Sequence, residues 1–116
     1  MEKPDYPIIT LCGSTRFKDD FMRVQKELTL QGYIVISVGL FGHSGDQEAW
    51  TEGTKEMLDN MHKRKIDMAQ AIYVINKDGY IGSSTRSEIE YAKAAGKEIY
   101  YMEWCLADVI LLSMLL

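Results

Sequence analysis

The feature that most constrains the fold is a set of short apolar runs separated by longer segments with helical periodicity. The runs cover residues 8–12, 34–38, 71–75 and 99–101, and almost every position in them is apolar. Strands that are apolar on both sides are typical of a parallel sheet covered by helices on both faces. With right-handed crossovers, this pattern predicts an α/β fold with a doubly wound parallel sheet of about four to five strands.

The segments between the runs predict the helices of this fold. An apolar residue recurs at every third or fourth position from Phe17 to Leu28, which places these side chains on one helical face. Thr15 is the predicted N-cap of that helix. Residues 54–69 and 85–95 are also helical in pattern, so the architecture expected is Rossmann-like or flavodoxin-like, with helices on both faces.

Length and charge restrict the class of protein. The 116 residues, with 47% hydrophobic and 26% charged, predict a single domain over residues 1–116. The net charge of -4 argues against a protein that grips a nucleic acid polymer or an anionic membrane surface. A small anionic ligand needs only a local positive site, so it remains compatible with this charge.

The cysteines and the chain ends suggest a cytoplasmic setting. Cys12 and Cys105 are too few for a disulfide framework, and the polar start does not resemble a signal peptide. The apolar tail from Cys105 to Leu116 is predicted to be a last helix from Leu106. It is well short of the roughly 20 residues that span a bilayer, so we expect no membrane span but a contact between copies in a homo-oligomer.

Two similar motifs follow strands and open helices. One is Gly13-Ser14-Thr15-Arg16, and the other, over residues 82–86, is Gly82-Ser83-Ser84-Thr85-Arg86. Ligands of open α/β sheets bind beyond the carboxyl ends of the strands, where both motifs are expected. Free N–H groups at a helix start, hydroxyls and arginine all bind phosphate, whereas simple capping by Ser and Thr is the alternative.

Glu88 is the carboxylate expected nearest to this crevice. Because it follows Thr85 by three residues, it also fits a capping box, in which it would bond the backbone at the helix start. The functional alternative is a nucleophile or charge stabiliser at a sugar carbon. Glu90, about 200° around the helix from Glu88, is not expected to face the same pocket.

The two histidines are weaker candidates. His62 is placed on the second helix near the sheet, where a structural role competes with a catalytic one, and Asp67 on the same helix is expected to be remote from the site. His43 lies in a long loop at the correct edge and is a candidate ligand contact. The Cys and His residues show no metal-ligand spacing along the chain, so we expect no metal and no other cofactor.

Three segments together resemble a known family. Residues 11–16 (Leu-Cys-Gly-Ser-Thr-Arg), 69–74 (Ala-Gln-Ala-Ile-Tyr-Val) and 87–97 (Ser-Glu-Ile-Glu-Tyr-Ala-Lys-Ala-Ala-Gly-Lys) are similar to the nucleoside 2-deoxyribosyltransferase superfamily. That group includes the deoxynucleoside 5′-monophosphate N-glycosidases. The family's catalytic Glu falls on Glu88. The first segment is similar to the phosphate-binding opening of the N-glycosidase branch.

The resemblance implies cleavage of the N-glycosidic bond of a nucleoside or nucleoside 5′-monophosphate, by hydrolysis or deoxyribosyl transfer. Glu88 would attack the anomeric carbon, and water or a second base would resolve the glycosyl-enzyme. A helical Asp normally helps to protonate the departing base, and its position falls at or near His62. His62 is therefore the expected proton donor or orienting group. Family members are usually oligomers.

Two other functions are compatible with the same residues. A non-catalytic nucleotide-binding or sensor module would use the helix N-termini without any chemistry. A phosphoribohydrolase-like enzyme also places a Gly-Thr-rich loop before a Glu, although this sequence lacks a Pro-Gly-Gly element.

Overall fold

The structure is a computed structural model that describes residues 3–42, 45 and 51–103. Strands and helices alternate along this part of the chain. Their order is β1 (Ile8–Gly13), α1 (Lys18–Leu30), β2 (Ile34–Ile36), α2 (Thr54–Asp67), β3 (Ala71–Ile75), α3 (Ser83–Ala94) and β4 (Glu98–Tyr101).

The four strands form one parallel sheet in the order β2-β1-β3-β4. This confirms the predicted α/β class and its doubly wound parallel sheet. The chain winds outwards from β1 to β2, then crosses to the other side of β1 to form β3 and β4. The direction of winding reverses between β1 and β3, and such a switch point opens a crevice at the carboxyl ends of the two strands.

One face of the sheet is covered by α1. Its buried side chains Phe21, Val24 and Leu28 pack against alternate residues of the central strands, including Leu11 and Ile75. Phe21 is fully buried and meets Phe41 edge to face, with ring centroids 5.5 Å apart. This layer is apolar, as the helical spacing of the sequence predicts.

The other face is covered by α2 and α3. Ile66 of α2 and Ile89 of α3 pack with Cys12, Ile72 and Val74 of the central strands. Polar groups are also buried on this side, most importantly His62 of α2. Helices therefore lie on both faces, but only one of the two layers is wholly apolar.

Polar bonds fix α2 along the sheet. The Thr10 hydroxyl of β1 donates to the backbone carbonyl of Lys65 at 2.9 Å. The Lys65 ammonium in turn donates to the carbonyl of Ser37, just after β2, at 2.9 Å. Because these bonds bind α2 to two strands, they set which of its residues reach the carboxyl edge.

Two helix starts differ from the prediction. Thr15 is not the N-cap of α1: residues 15–17 form a 3-10 turn, whose cap Ser14 accepts a bond from the Arg16 N–H, and α1 begins at Lys18. Helix α3 begins at Ser83, two residues earlier than predicted, with Gly82 as N-cap. Both differences arise where small polar residues compete for the same capping position.

Three predictions fall on other parts of the chain. His43, the last helix from Leu106 and the oligomer contact of the apolar tail lie outside the described residues, and stay predictions. Among the described helices, none has the length and apolar character needed to cross a membrane.

Candidate functional site

A cavity of about 330 Å³ lies at the carboxyl edge of the sheet, beside the switch point between β1 and β3. Its walls come from the loops after β1 and β2, from α2, from Tyr80 and from the start of α3. Of the predicted site residues, it brings together Gly13, Ser14, Arg16, His62, Gly82, Ser83, Ser84, Thr85 and Glu88.

Gly13 allows β1 to end against its neighbour. A Cβ at this position would lie 2.8 Å from the carbonyl oxygen of Ile75 on β3, and its φ of 154° also favours glycine. The close approach brings the ends of the two strands together under the cavity floor.

Glu88 is not part of a capping box. Because Gly82 is the N-cap of α3, Glu88 lies in the second turn and not at the third helical position that a capping box requires. The carboxyl group instead points between α2 and β1, with 15% of its side chain exposed. Capping, the alternative predicted for Glu88, is therefore wrong.

Three side chains from three different elements meet at this point, and we call them the Cys12–His62–Glu88 cluster. The Cys12 sulfur lies 3.4 Å from His62 Nε2, and the same nitrogen lies 3.5 Å from Glu88 Oε1. The potential ligand atoms of all three residues lie within 4.8 Å of one another.

Burial shifts the proton affinity of each group in the cluster. It raises the pKa of Glu88 to about 7, helped by the negative charge of Asp59. It lowers the pKa of His62 to about 4, helped by the positive charge of Lys65. Burial also raises the pKa of the Cys12 thiol well above its ordinary value, and the charge of Glu88 adds to this. At neutral pH the imidazole and the thiol are therefore uncharged.

The loop after β1 presents a cation at the cavity. The Arg16 guanidinium stacks on the Tyr80 ring, 4.6 Å from its centroid, and its Nε donates to the Ser14 hydroxyl at 3.1 Å. Phe17 also packs against Tyr80 edge to face, with ring centroids 5.9 Å apart. These contacts orient the arginine while leaving it exposed for a ligand.

The start of α3 forms a second polar wall. Ser83, Ser84 and the buried Thr85 line the cavity, whereas Arg86 is exposed and does not. Arg86 precedes Glu88 by two positions, about 200° around the helix, and so points away from the face that carries the carboxylate. Of the two predicted phosphate-binding arginines, Arg16 is the one that lines the cavity.

The structure adds residues that are not among the predicted site residues. Lys55, Asp59 and Lys65 line the cavity from α2, and the first two form an ion pair of 2.7 Å. Asp59 precedes His62 by three positions, a spacing that puts both on one helical face and that signals a shared pocket. Cys12 and Tyr80 had no comparable signal along the chain.

Asp67 lies at the opposite end of α2, as expected from the direction of the helix. It pairs with Arg64 at 3.1 Å and accepts a bond from the Tyr91 hydroxyl at 2.7 Å. Glu90 is exposed on α3. Neither carboxylate lines the cavity.

Comparison with known proteins does not add a family to this geometry. The chain matches no protein-family model, and no curated protein is significantly similar to it.

Proposed function

We propose that the protein cleaves the N-glycosidic bond of a nucleoside or nucleoside 5′-monophosphate, with Glu88 as the nucleophile. The observation that carries the proposal is the position of this carboxyl group. It lies beside His62 at one wall of the cavity, while Arg16 and the start of α3 present cationic and N–H groups at the other walls. The resemblance of residues 87–97 to the nucleoside 2-deoxyribosyltransferase superfamily supports the same role.

In the proposed reaction, ionised Glu88 forms a bond to the anomeric carbon as the bond to the base nitrogen breaks. The departing base takes up a proton from water. In the second step, water attacks the same carbon and gives its proton to the hydroxide left by the first step, the bond to Glu88 breaks, and the carboxylate is regenerated. With a second base in place of water, the same intermediate leads to deoxyribosyl transfer.

His62 acts in this proposal as a positioning residue. Its lowered pKa means that the imidazole is neutral at pH 7, so it holds the carboxyl group rather than protonating the base. His62 Nε2 lies 3.5 Å from Glu88 Oε1, within reach of the carboxyl group. Of the two roles expected from the sequence, orientation is the one that the buried environment favours.

A 5′-phosphate is proposed to bind between Arg16 and the start of α3. Arginine and the N–H groups of a helix N-terminus both favour anions, and the Ser83 and Ser84 hydroxyls add donors. The arginine is already stacked on Tyr80, so little side-chain freedom is lost when a phosphate binds.

The test incubates the protein with the deoxynucleoside 5′-monophosphates in the presence of a chelator. Chromatography then measures the free base that is released. We expect the wild type to release free base and Glu88→Gln to lose turnover by on the order of 10³-fold or more. Glu90→Gln is the matched control, because it changes an exposed carboxyl group two positions away on the same helix.

A folded Glu88→Gln protein that releases base at the wild-type rate would contradict the proposal. Tight binding of a nucleotide by the wild type, with no free base formed, would favour the nucleotide-binding module instead.

A further inference from the structure

We propose that the Cys12–His62–Glu88 cluster is a binding site for a divalent transition-metal ion, with Zn²⁺ the best match. The sequence shows no ligand spacing for such a site, because the three residues come from β1, α2 and α3. The inference goes beyond the proposed glycosidase function and does not depend on it.

The distances fit a tetrahedral ion. Zn²⁺ binds sulfur at about 2.3 Å and nitrogen or oxygen at about 2.0–2.2 Å, which places neighbouring ligand atoms about 3.3–3.8 Å apart. The sulfur-to-nitrogen and nitrogen-to-oxygen distances in the cluster are 3.4 and 3.5 Å. Because all three atoms lie within 4.8 Å of one another, small rotations of the Glu88 side chain complete the arrangement.

The donor types favour zinc over the common hard cations. A thiolate and an imidazole nitrogen suit Zn²⁺, whereas Mg²⁺ and Ca²⁺ prefer oxygen donors. The thiol gives its proton to water on binding, so one thiolate and one carboxylate neutralise the two positive charges of the ion. A neutral buried site avoids the cost of an uncompensated charge.

The surroundings hold the ligands in place. Cys12 lies within the paired part of β1, opposite Val74 of β3, and is fully buried. His62 and Glu88 also line the cavity, so the fourth position of the ion would face it. Three protein ligands with an open fourth position are typical of catalytic rather than structural zinc sites.

Metal binding and nucleophilic attack would both use the Glu88 carboxylate and therefore compete with one another. Zn²⁺ is expected to inhibit base release if the proposed glycosidase function is correct. The metal site is tested by a binding measurement that needs no enzymatic activity. Failure of metal binding and failure of base release are therefore distinguishable.

The experiment titrates Co²⁺ into chelator-treated full-length protein and records the absorption spectrum, followed by displacement with Zn²⁺. We expect one ion per chain, a visible spectrum of tetrahedral intensity, and a thiolate-to-cobalt charge-transfer band. Cys12→Ala should abolish that band, and Glu88→Gln, which keeps the side-chain shape, should weaken binding by on the order of 10²-fold.

The matched control is Cys105→Ser, which removes the other cysteine of the chain. It should keep the charge-transfer band and the affinity of the wild type. Circular dichroism establishes that each variant is folded. The proposal is overturned if folded wild type gives no charge-transfer band, if Cys105→Ser abolishes the band, or if Glu88→Gln binds Co²⁺ as tightly as the wild type.

Discussion

Leu11 and Cys12 are neighbours on β1, yet they lie in opposite layers of very different chemistry. Leu11 faces α1 in a layer of apolar side chains, whereas Cys12 faces α2 and α3 and contacts His62 and Glu88. The two layers are built on the same strands, but β1 gives an apolar side chain to one and a thiol to the other, and the covering helices differ in the same way. We call them the α1 layer and the cluster layer.

The comparison shows how the molecule divides stability and chemistry between its two faces. Burial of apolar side chains stabilises the fold, and the α1 layer consists of such side chains. Burial of a titratable group costs free energy unless its charge is neutralised, and the cluster layer contains three such groups. Apolar burial in the α1 layer, together with the apolar side chains packed around the cluster such as Ile66 and Ile72, offsets the cost of placing reactive groups in the cluster layer.

The largest expected effect comes from weakening the α1 layer. Phe21→Ala removes a fully buried ring and should reduce the free energy of unfolding by about 3–5 kcal/mol, because the surrounding structure only partly fills the space. Urea denaturation measures this loss. Met22→Ala is the control: Met22 is 52% exposed, and its truncation should change stability by less than about 0.5 kcal/mol. Equal effects would contradict the assignment of stability to the α1 layer.

A smaller effect, of opposite sign, is expected in the cluster layer. The pKa of Glu88 is about 7 in the folded chain and near 4.5 when unfolded, so the unfolded state releases this proton first as the pH rises. Stability should fall between these two values and then level off. Glu88→Gln does not titrate, and its stability relative to the wild type should therefore rise by about 2–3 kcal/mol from pH 4.5 to pH 8.

Urea denaturation at several pH values, with a chelator present, measures this relative stability. His62 is the same in both chains, so its own titration largely cancels in the comparison. The exposed Glu90→Gln serves as control and should show a flat difference. A flat difference for Glu88→Gln as well would mean that the carboxyl group is not desolvated.

The smallest effect is expected at the far end of α2. Asp67→Asn weakens an ion pair with Arg64 that is largely exposed, and should cost less than about 1 kcal/mol. Because this end lies away from the cavity, base release and Co²⁺ binding should match those of the wild type. A tenfold loss of either, in a folded protein, would show that the two ends of α2 are coupled.

The fold could be predicted because its signals are local. The bounds of β3 match the apolar run at 71–75, and the alternation of runs and helical segments predicts a parallel sheet. Helix starts were less predictable, since Ser14 and Thr15, or Gly82 and Thr85, offer competing caps within a few residues. Which residue becomes the N-cap depends on the backbone conformation of the loop that leaves the preceding strand.

Part of the site could also be predicted, because the carboxyl ends of parallel strands share one edge of the sheet. That rule correctly places the starts of the two motifs, at Gly13 and Gly82, and Glu88 at one cavity. It does not reveal how a side chain points from its helix, so Arg86 was grouped with Arg16 although it lies outside the lining. Lys65 was not predicted for the same reason, whereas the spacing of Asp59 from His62 did signal a shared pocket.

The sequence by itself determined which elements form and in what order, because side-chain periodicity is a property of each segment alone. Only the tertiary structure decided that Cys12, His62 and Glu88 meet. His62 follows Cys12 by 50 positions, and no spacing along the chain records their 3.4 Å contact. The meeting of the three side chains depends on the position of α2 and α3 along the sheet. Packing between the helices and the strands determines that position. The chemistry proposed for the protein therefore rests on a contact that the folded chain alone creates.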